Sequence, residues 1–284
     1  MSQPVRICFS DIDGTIMHDP NEQDRDAELL VTPPSASGRQ GAISAQTIHQ
    51  VAALRSKGVM FVVITGARLS TLLMRLPYLP AADAFVCENG GRVFYPGSPL
   101  PTACPITEDA HWRDTQAAAG PTSQDGVEPK ARTGALWEWY AKLAADGWVL
   151  DANGYTTSFR CHAKGGKSMA QLEALAKEAP QGLDSSFNLG AADFYPDTSG
   201  KVRAARYLMA RFQARAQDCV FLCDDDNDME LAAEVGRAYL PSVTSESVRR
   251  AVAARPEHFV QATKKGTEAT EEMLLAVSKD YKLL

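Results

Sequence analysis

No stretch of this sequence is apolar for long enough to cross a bilayer, and no apolar signal region follows a basic start at its N-terminus. The expected setting is the cytoplasm, or an organelle stroma if a transit peptide has been removed. A basic excess is also lacking. The 29 Lys and Arg stand against 35 Asp and Glu, a formal net charge of −6, which disfavours nucleic acid and membrane surfaces as partners. Any anionic ligand therefore has to be met by local positive groups. The six cysteines form no Cys-x-x-Cys pair. Cys8, Cys87, Cys219 and Cys223 lie in or beside strand-like apolar runs, and with Cys104 and Cys161 they read as reduced core residues. Apolar material is plentiful. At 284 residues and 45% hydrophobic content the chain can bury a substantial core, and its length favours two domains over one.

The stretch Val5 to Thr15, Val-Arg-Ile-Cys-Phe-Ser-Asp-Ile-Asp-Gly-Thr, organises the rest. A short apolar run broken by two carboxylates, a glycine and a hydroxyl reads as a buried strand delivering polar groups to a sheet edge. Alternation along a strand lets Asp11 and Asp13 point toward one cavity, and Gly14 allows a tight turn after them. Two carboxylates about 4 Å apart repel by roughly 4 kcal/mol at an effective dielectric of about 20. A hard cation with oxygen ligands relieves that repulsion, and magnesium fits best. A surface turn or a calcium loop is the competing reading of Asp-x-Asp-Gly. The apolar strand before it argues against both, and Ile16, Met17 and His18 do not supply the further oxygen ligands of a calcium loop.

Asp11-Ile12-Asp13-Gly14-Thr15 resembles the first motif of the haloacid dehalogenase superfamily of aspartate-nucleophile phosphohydrolases, and later stretches resemble its other motifs in order. Ile16 to Gln40 is polar, carries Asp19, Glu22, Asp24, Asp26 and Glu28, and sustains neither period, so a flap or extended surface loop is expected. Ser44 begins a helix through Lys57 that Gly58 stops. Val59 to Ile64 is a parallel strand ending in Thr65-Gly66-Ala67-Arg68, a strand-to-helix turn that can offer a hydroxyl and backbone N–H groups to an anion. It resembles the second motif, where Thr65 holds phosphoryl oxygens. Ala67 stands where many relatives carry Arg, which puts any role for Arg68 in doubt. A helix follows to about Leu76, then the strand Ala84 to Cys87 and Glu88-Asn89-Gly90-Gly91, a hairpin-like turn into Arg92 to Tyr95. In the sugar-phosphatase-like branch an Asn-Gly turn sits here close to substrate, so Asn89 is a candidate ligand contact.

Residues 92–192 have a different composition and lie between the second and third motifs. The resemblance implies an inserted α/β cap, with core domain at 1–91 and 193–284. Helices are expected at Thr107–Ala119, Thr133–Asp146 and Ser168–Glu178, and paired strands at Trp148–Leu150 and Tyr155–Cys161 around Asn153-Gly154. Arg160, His162, Lys164 and Lys167 cluster positive groups; Arg160 and Lys164 are candidates to read the substrate, with a solvated basic loop as the bland reading. Trp137, Trp139, Tyr140 and Trp148 are expected to form the core of this region. Lys201 opens a helix where the helix dipole mildly disfavours a cation, and it resembles the third motif, offsetting phosphoryl charge. Cys219 to Cys223 is a strand running into Asp224-Asp225-Asp226-Asn227-Asp228, whose acids need a cation in a partly buried cleft. The pattern resembles the fourth motif, with Cys223 in place of its usual glycine. Asp224 is implied as direct metal ligand, and Asn227 and Asp228 bind through water or orient other groups; whether Asp225 or Asp226 joins them is open.

The fold expected is a doubly wound, mostly parallel sheet with helices on both faces and an inserted α/β cap. The resemblance implies a magnesium-dependent phosphatase in which Asp11 attacks phosphorus. Asp13 protonates the leaving oxygen and later activates water, and Thr15 steadies Asp13. Thr65, Gly66 and Lys201 face the phosphoryl group. Asp11, the carbonyl of Asp13 and Asp224 hold Mg2+. The expected partner is a small phosphorylated metabolite, a sugar or polyol phosphate, with phosphoglycerate derivatives and nucleotide-like monoesters open. Two alternatives remain: a sugar phosphomutase of the same superfamily, and a phospho-accepting receiver module, which is far smaller and lacks the second acid.

Overall fold

The computed structural model describes residues 4–22, 28–35, 38–97, 106–188 and 190–283. Taken in order, the chain forms β1 (Arg6–Ser10), β2 (Leu29–Val31), β3 (Ala42–Ser44), α1 (Ala45–Ser56), β4 (Val59–Ile64), α2 (Leu69–Arg75) and β5 (Ala84–Cys87). It continues through β6 (Arg92–Pro96), β7 (Ile106–Glu108), α3 (Ala110–Asp114), α4 (Ala135–Ala145), β8 (Val149–Asp151), β9 (Phe159–His162), α5 (Met169–Lys177), β10 (Leu183–Asn188) and β11 (Ala191–Pro196). The last stretch is α6 (Lys201–Phe212), β12 (Val220–Leu222), α7 (Met229–Glu234), β13 (Arg237–Leu240), α8 (Glu246–Ala254), β14 (Phe259–Gln261) and α9 (Gly266–Asp280). These elements divide into two compact units. One comprises residues 1–65, 70–85 and 205–284, the other 66–69 and 86–204.

In the first unit β1 lies between β4 and β12, parallel to both, and β13 and β14 extend the parallel sheet beyond β12. Strands covered on both faces need apolar residues at every position, and Ile7, Cys8 and Phe9 of β1, with Phe61 to Ile64 of β4, are fully buried. From β1 the chain winds outward to β4 on one side and later to β12, β13 and β14 on the other. Ligands of open parallel sheets bind where strand order reverses, at the carboxyl ends of the strands. Here that is the edge where β1 and β12 end. Ser44 caps α1 by accepting a hydrogen bond from the Thr47 N–H at 3.0 Å, and α1 packs on α9. The polar segment after Thr15 includes a short ladder, β2 antiparallel to β3; Asp24 and Asp26 lie outside the described residues.

The second unit has its own sheet, ordered β10-β11-β9-β8 and antiparallel throughout. Its bounds fall outside the expected 92–192 segment at both ends. Trp137, Trp139, Phe159 and Phe194 form its core, with Tyr140 and Trp148 packed against it. The Phe159 and Phe194 rings stack 5.3 Å apart, and the Trp137 indole donates to the Ala119 carbonyl at 2.9 Å. The helix expected over Thr107–Ala119 is shorter than that. Ile106 and Thr107 instead continue a strand paired with β6. Asp109 then accepts from the Trp112 N–H at 3.0 Å and starts α3 as a capped single turn.

Cys8, Cys87, Cys161, Cys219 and Cys223 are buried free thiols; Cys104 lies outside the described residues. Burial pushes the Cys161 and Cys219 thiols up to about 12, which leaves them unreactive. Among the described residues no helix is long and apolar enough to cross a membrane.

In the first unit His18 exchanges backbone hydrogen bonds with Ala42, and its Nε2 lies 2.7 Å from the Thr270 hydroxyl. Burial is the main cause that lowers its pKa from 6.5 to about 4. An unfolded chain therefore binds this proton at a higher pH than the native one. The native state loses stability as pH falls from about 6.5 toward about 4, by up to roughly 3 kcal/mol. Thermal melts of the wild type and His18→Gln between pH 7 and 4.5 check this: the wild type should lose more of its midpoint, and parallel curves would contradict it.

Candidate active site

The chain leaves β1 still paired to β12, with the Asp11 N–H donating to the Leu222 carbonyl at 3.0 Å. It then turns at once. The Ile12 carbonyl accepts from the N–H groups of Ile16 at 3.0 Å and Met17 at 2.8 Å, and Gly14 N–H donates to the Met17 carbonyl at 2.8 Å. Gly14 sits at φ +76°, and a Cβ on it would lie 2.2 Å from Asp224 Oδ2. Only glycine permits both the turn and the approach of Asp224.

Asp224 follows β12 after a single residue, Cys223. Thr15 Oγ1 donates to its Oδ1 at 2.9 Å, and Thr244 Oγ1 to its carbonyl at 3.0 Å. Asp228 is fully buried and folds back, its Oδ2 accepting from the N–H groups of Asp224 and Asp225, both at 3.3 Å. One carboxylate oxygen each of Asp11, Asp224 and Asp228 lies within 4.8 Å of the others, and all three residues are buried. At that spacing each pair of charges repels by about 3–4 kcal/mol. An all-oxygen anionic donor set of this size suits a hard divalent cation. Asn227, beside them, has both amide atoms buried without a hydrogen-bond partner, so a polar side chain stands ready to orient a further ligand.

The other anticipated acids are placed differently. Asp13 Oδ2 meets Arg75 Nη1 at 2.6 Å, with the Asp13 side chain 59% exposed and that of Arg75 only 4%. Thr15, expected to steady Asp13, gives its hydroxyl to Asp224 instead, because the left-handed backbone at Gly14 turns it toward β12. Asp225 accepts from Thr244 Oγ1 at 2.7 Å, and Asp226 from Ser245 Oγ at 2.8 Å and from Ser247. The hydroxyls of Thr244, Ser245 and Ser247, at the start of α8, thus occupy both of these carboxylates. Thr65 is buried, and Ser10 opposite Val63 brings β4 out of the sheet at the same edge as β1.

Gly66, Asn89, Arg160, Lys164 and Lys201 belong to the second unit. Asn89 is buried at φ +54° with both amide atoms unpartnered. Its carbonyl accepts from the Gly200 N–H at 2.8 Å and Ser199 Oγ at 3.1 Å, which sets the Asn89-Gly90 turn against the residues that lead into α6, where Lys201 is buried. Arg160 is bound to buried Asp193 by two hydrogen bonds of 2.7 Å, and its own pKa is raised by that partner against burial. Its fork is already filled, so it is not a free substrate reader. Lys164 is exposed. Arg68 is likewise committed, to Asp151 at 2.8 Å and across the Tyr155 ring at 4.8 Å.

A family model described as sucrose-6F-phosphate phosphohydrolase matches residues 150–270. The fold matches a Synechocystis sucrose-phosphatase solved with sucrose and phosphate, at TM-score 0.67 and 14% identity over 99% of each chain. It also matches a haloacid dehalogenase subclass IIB sugar phosphatase, at TM-score 0.59 and 14% identity over 99% of this chain and 100% of that one. A haloacid dehalogenase-like hydrolase from Bacillus subtilis aligns at TM-score 0.57 and 14% identity over 98% and 92%. The chain shares the fold of these solved phosphatases, and its residues 150–270 match the sucrose-6F-phosphate phosphohydrolase model. No curated protein matches it in a sequence search.

Two features of the site carry no signal in the sequence. A buried arginine at the end of a short helix carries no periodic signal, so Arg75 is visible only in space. Likewise Ser242, whose hydroxyl donates to the Gly14 carbonyl at 3.0 Å, and Thr244 sit in a loop after β13 with no motif to mark them. The close packing of Gly14 on Asp224 yields a test. Gly14→Ala should destabilise the fold by about 1–3 kcal/mol, and, if the three acids bind Mg2+, should abolish a rise in melting temperature that Mg2+ is expected to give the wild type. Calorimetry with and without Mg2+ reads both, and an unchanged Mg2+ response would contradict the geometry.

Proposed function

We propose that the protein is a magnesium-dependent phosphomonoester hydrolase that acts through an aspartyl-phosphate on a small phosphorylated sugar or polyol. The carrying observation is the convergence of Asp11, Asp224 and Asp228 from the ends of neighbouring strands. Asp11 is the nucleophile. One of its carboxylate oxygens bonds to phosphorus as the bond to the leaving oxygen breaks, and Asp13 gives that oxygen its proton. In the second half Asp13 takes a proton from water, which attacks phosphorus, frees phosphate and restores Asp11. Thr65 and the Gly66 N–H hold the phosphoryl oxygens, and Lys201 offsets their charge. Asp11, Asp224 and the Asp13 carbonyl would hold Mg2+, with Asn227 and Asp228 orienting; bound there, the ion supplies charge neutralisation at the phosphoryl group. Residues 92–192 act as the cap, with Asn89 facing the substrate. Sugar specificity is favoured by the sucrose-phosphate family match and by the sugar phosphatases among the structural neighbours.

A phosphate-release screen over phosphomonoesters, with Mg2+ and with chelator, tests the reading. Turnover should require Mg2+, and Asp11→Asn should lose at least about 10³-fold while remaining folded; full activity in that variant would refute the assignment. A finer expectation concerns Arg75, which holds one oxygen of Asp13 and leaves the other for the leaving group. Arg75→Met should slow alkyl phosphates by about 10–100-fold but p-nitrophenyl phosphate, whose leaving group needs no proton, by less than about threefold. Equal losses on both substrates would assign Arg75 a purely structural role.

A further inference from the structure

A cleft of about 1330 Å³ opens within the first unit, with Asp13 and Gly14 on one wall. Small-molecule sites run to roughly 300–1,000 Å³, so the space far exceeds what a phosphoryl group needs. Its other walls are residues 38–41, from the polar segment that the mechanism leaves unused, and the loops at 241–244 and 261–266 that follow β13 and β14. Both flanking loops are fixed. Thr32 accepts from Gln40 Nε2 through its carbonyl at 3.1 Å and from the Gly41 N–H through its hydroxyl at 2.9 Å. Glu272 accepts from the N–H groups of Thr263 at 2.9 Å and Lys264 at 3.1 Å.

Charge in this cleft runs against that of the chain. In a protein of net charge −6, the lining carries Arg39, Arg249, Lys264 and Lys265 against two carboxylates, Asp13 and Asp19. Asp13 is neutralised by Arg75, and Arg249 is paired with Glu246. Among the described residues no hydrogen bond or ion pair engages the side chains of Arg39, Lys264 and Lys265, though the Lys264 charge acts on Glu272. Three cations therefore line a preformed space whose wall includes Asp13, the residue assigned to the leaving oxygen. We propose that this cleft receives the leaving portion of the substrate, and that this portion bears a second anionic group, a carboxylate or phosphate, met by Arg39, Lys264 and Lys265. The proposal rests on the phosphatase reading and narrows it to doubly anionic monoesters.

The matched pair 6-phosphogluconate and glucitol 6-phosphate, alike except for a carboxylate against an alcohol, provides the test. Turnover is measured on the wild type and on Lys264→Ala/Lys265→Ala, and binding of both compounds by calorimetry to Asp11→Asn with and without the same double change. The wild type should favour the carboxylate about five- to tenfold, mainly through KM, and the preference should shrink toward one in the double variant and in high salt. Equal treatment of the pair by the wild type, or a preference that survives the double change, overturns the proposal while leaving the phosphatase standing. If neither compound is hydrolysed, the binding arm still decides: selective binding lost in the double variant upholds the anion site, and unselective binding rejects it.

Discussion

Mutual repulsion among three buried carboxylates is the constraint that the structure is built to withstand. Oxygens of Asp11, Asp224 and Asp228 lie within 4.8 Å of one another, and three pairs at about 3–4 kcal/mol each rival the roughly 5–15 kcal/mol that holds a typical domain together. They are nonetheless held in place, because Asp11 and Asp224 follow two paired, largely apolar and buried strands whose register cannot slip without disrupting the core. Local contacts complete the arrangement: the absent side chain of Gly14, the Thr15 hydroxyl on Asp224, and Asp228 folded onto the backbone of its own turn.

Charge outside the cluster is handled by a different rule in each unit. In the second unit several arginines are engaged internally. Arg68, Arg92 and Arg160 are each locked to carboxylates of the same unit, where they fix strands and turns around an aromatic core. In the first unit the cations beside Asp13 are left open, on loops whose backbones are tied down by Thr32 and Glu272. The proposed recognition of an anionic substrate tail accordingly uses residues of the first unit alone.

Much of this was legible in the residues themselves. Largely apolar runs mark β1, β4 and β12, because strands covered on both faces need apolar residues almost throughout, and of the acids at their ends Asp11, Asp224 and Asp228 lie together while Asp13 turns to Arg75. Ser44, Gly58 and Ser168 marked helix ends through local chemistry that needs no partner far along the chain. What stayed hidden depends on long-range contacts. Arg160 looked like a free cation until the pairing of β9 with β11 put Asp193 opposite it, and Thr15 looked like a partner of Asp13 until the backbone at Gly14 turned it to Asp224. Thr107 reads as the start of a helix since a three-residue edge strand is too short to show a period of two. Asp225 and Asp226 were indistinguishable from ligands until the 244–247 hydroxyls were seen to hold them.

Diffraction from crystals soaked in Mn2+, recorded at a wavelength where manganese scatters anomalously, addresses the central claim most directly. A single strong peak bounded by the carboxylates of Asp11, Asp224 and Asp228 is the predicted result. An intact fold with no peak there at saturating Mn2+ would contradict the account.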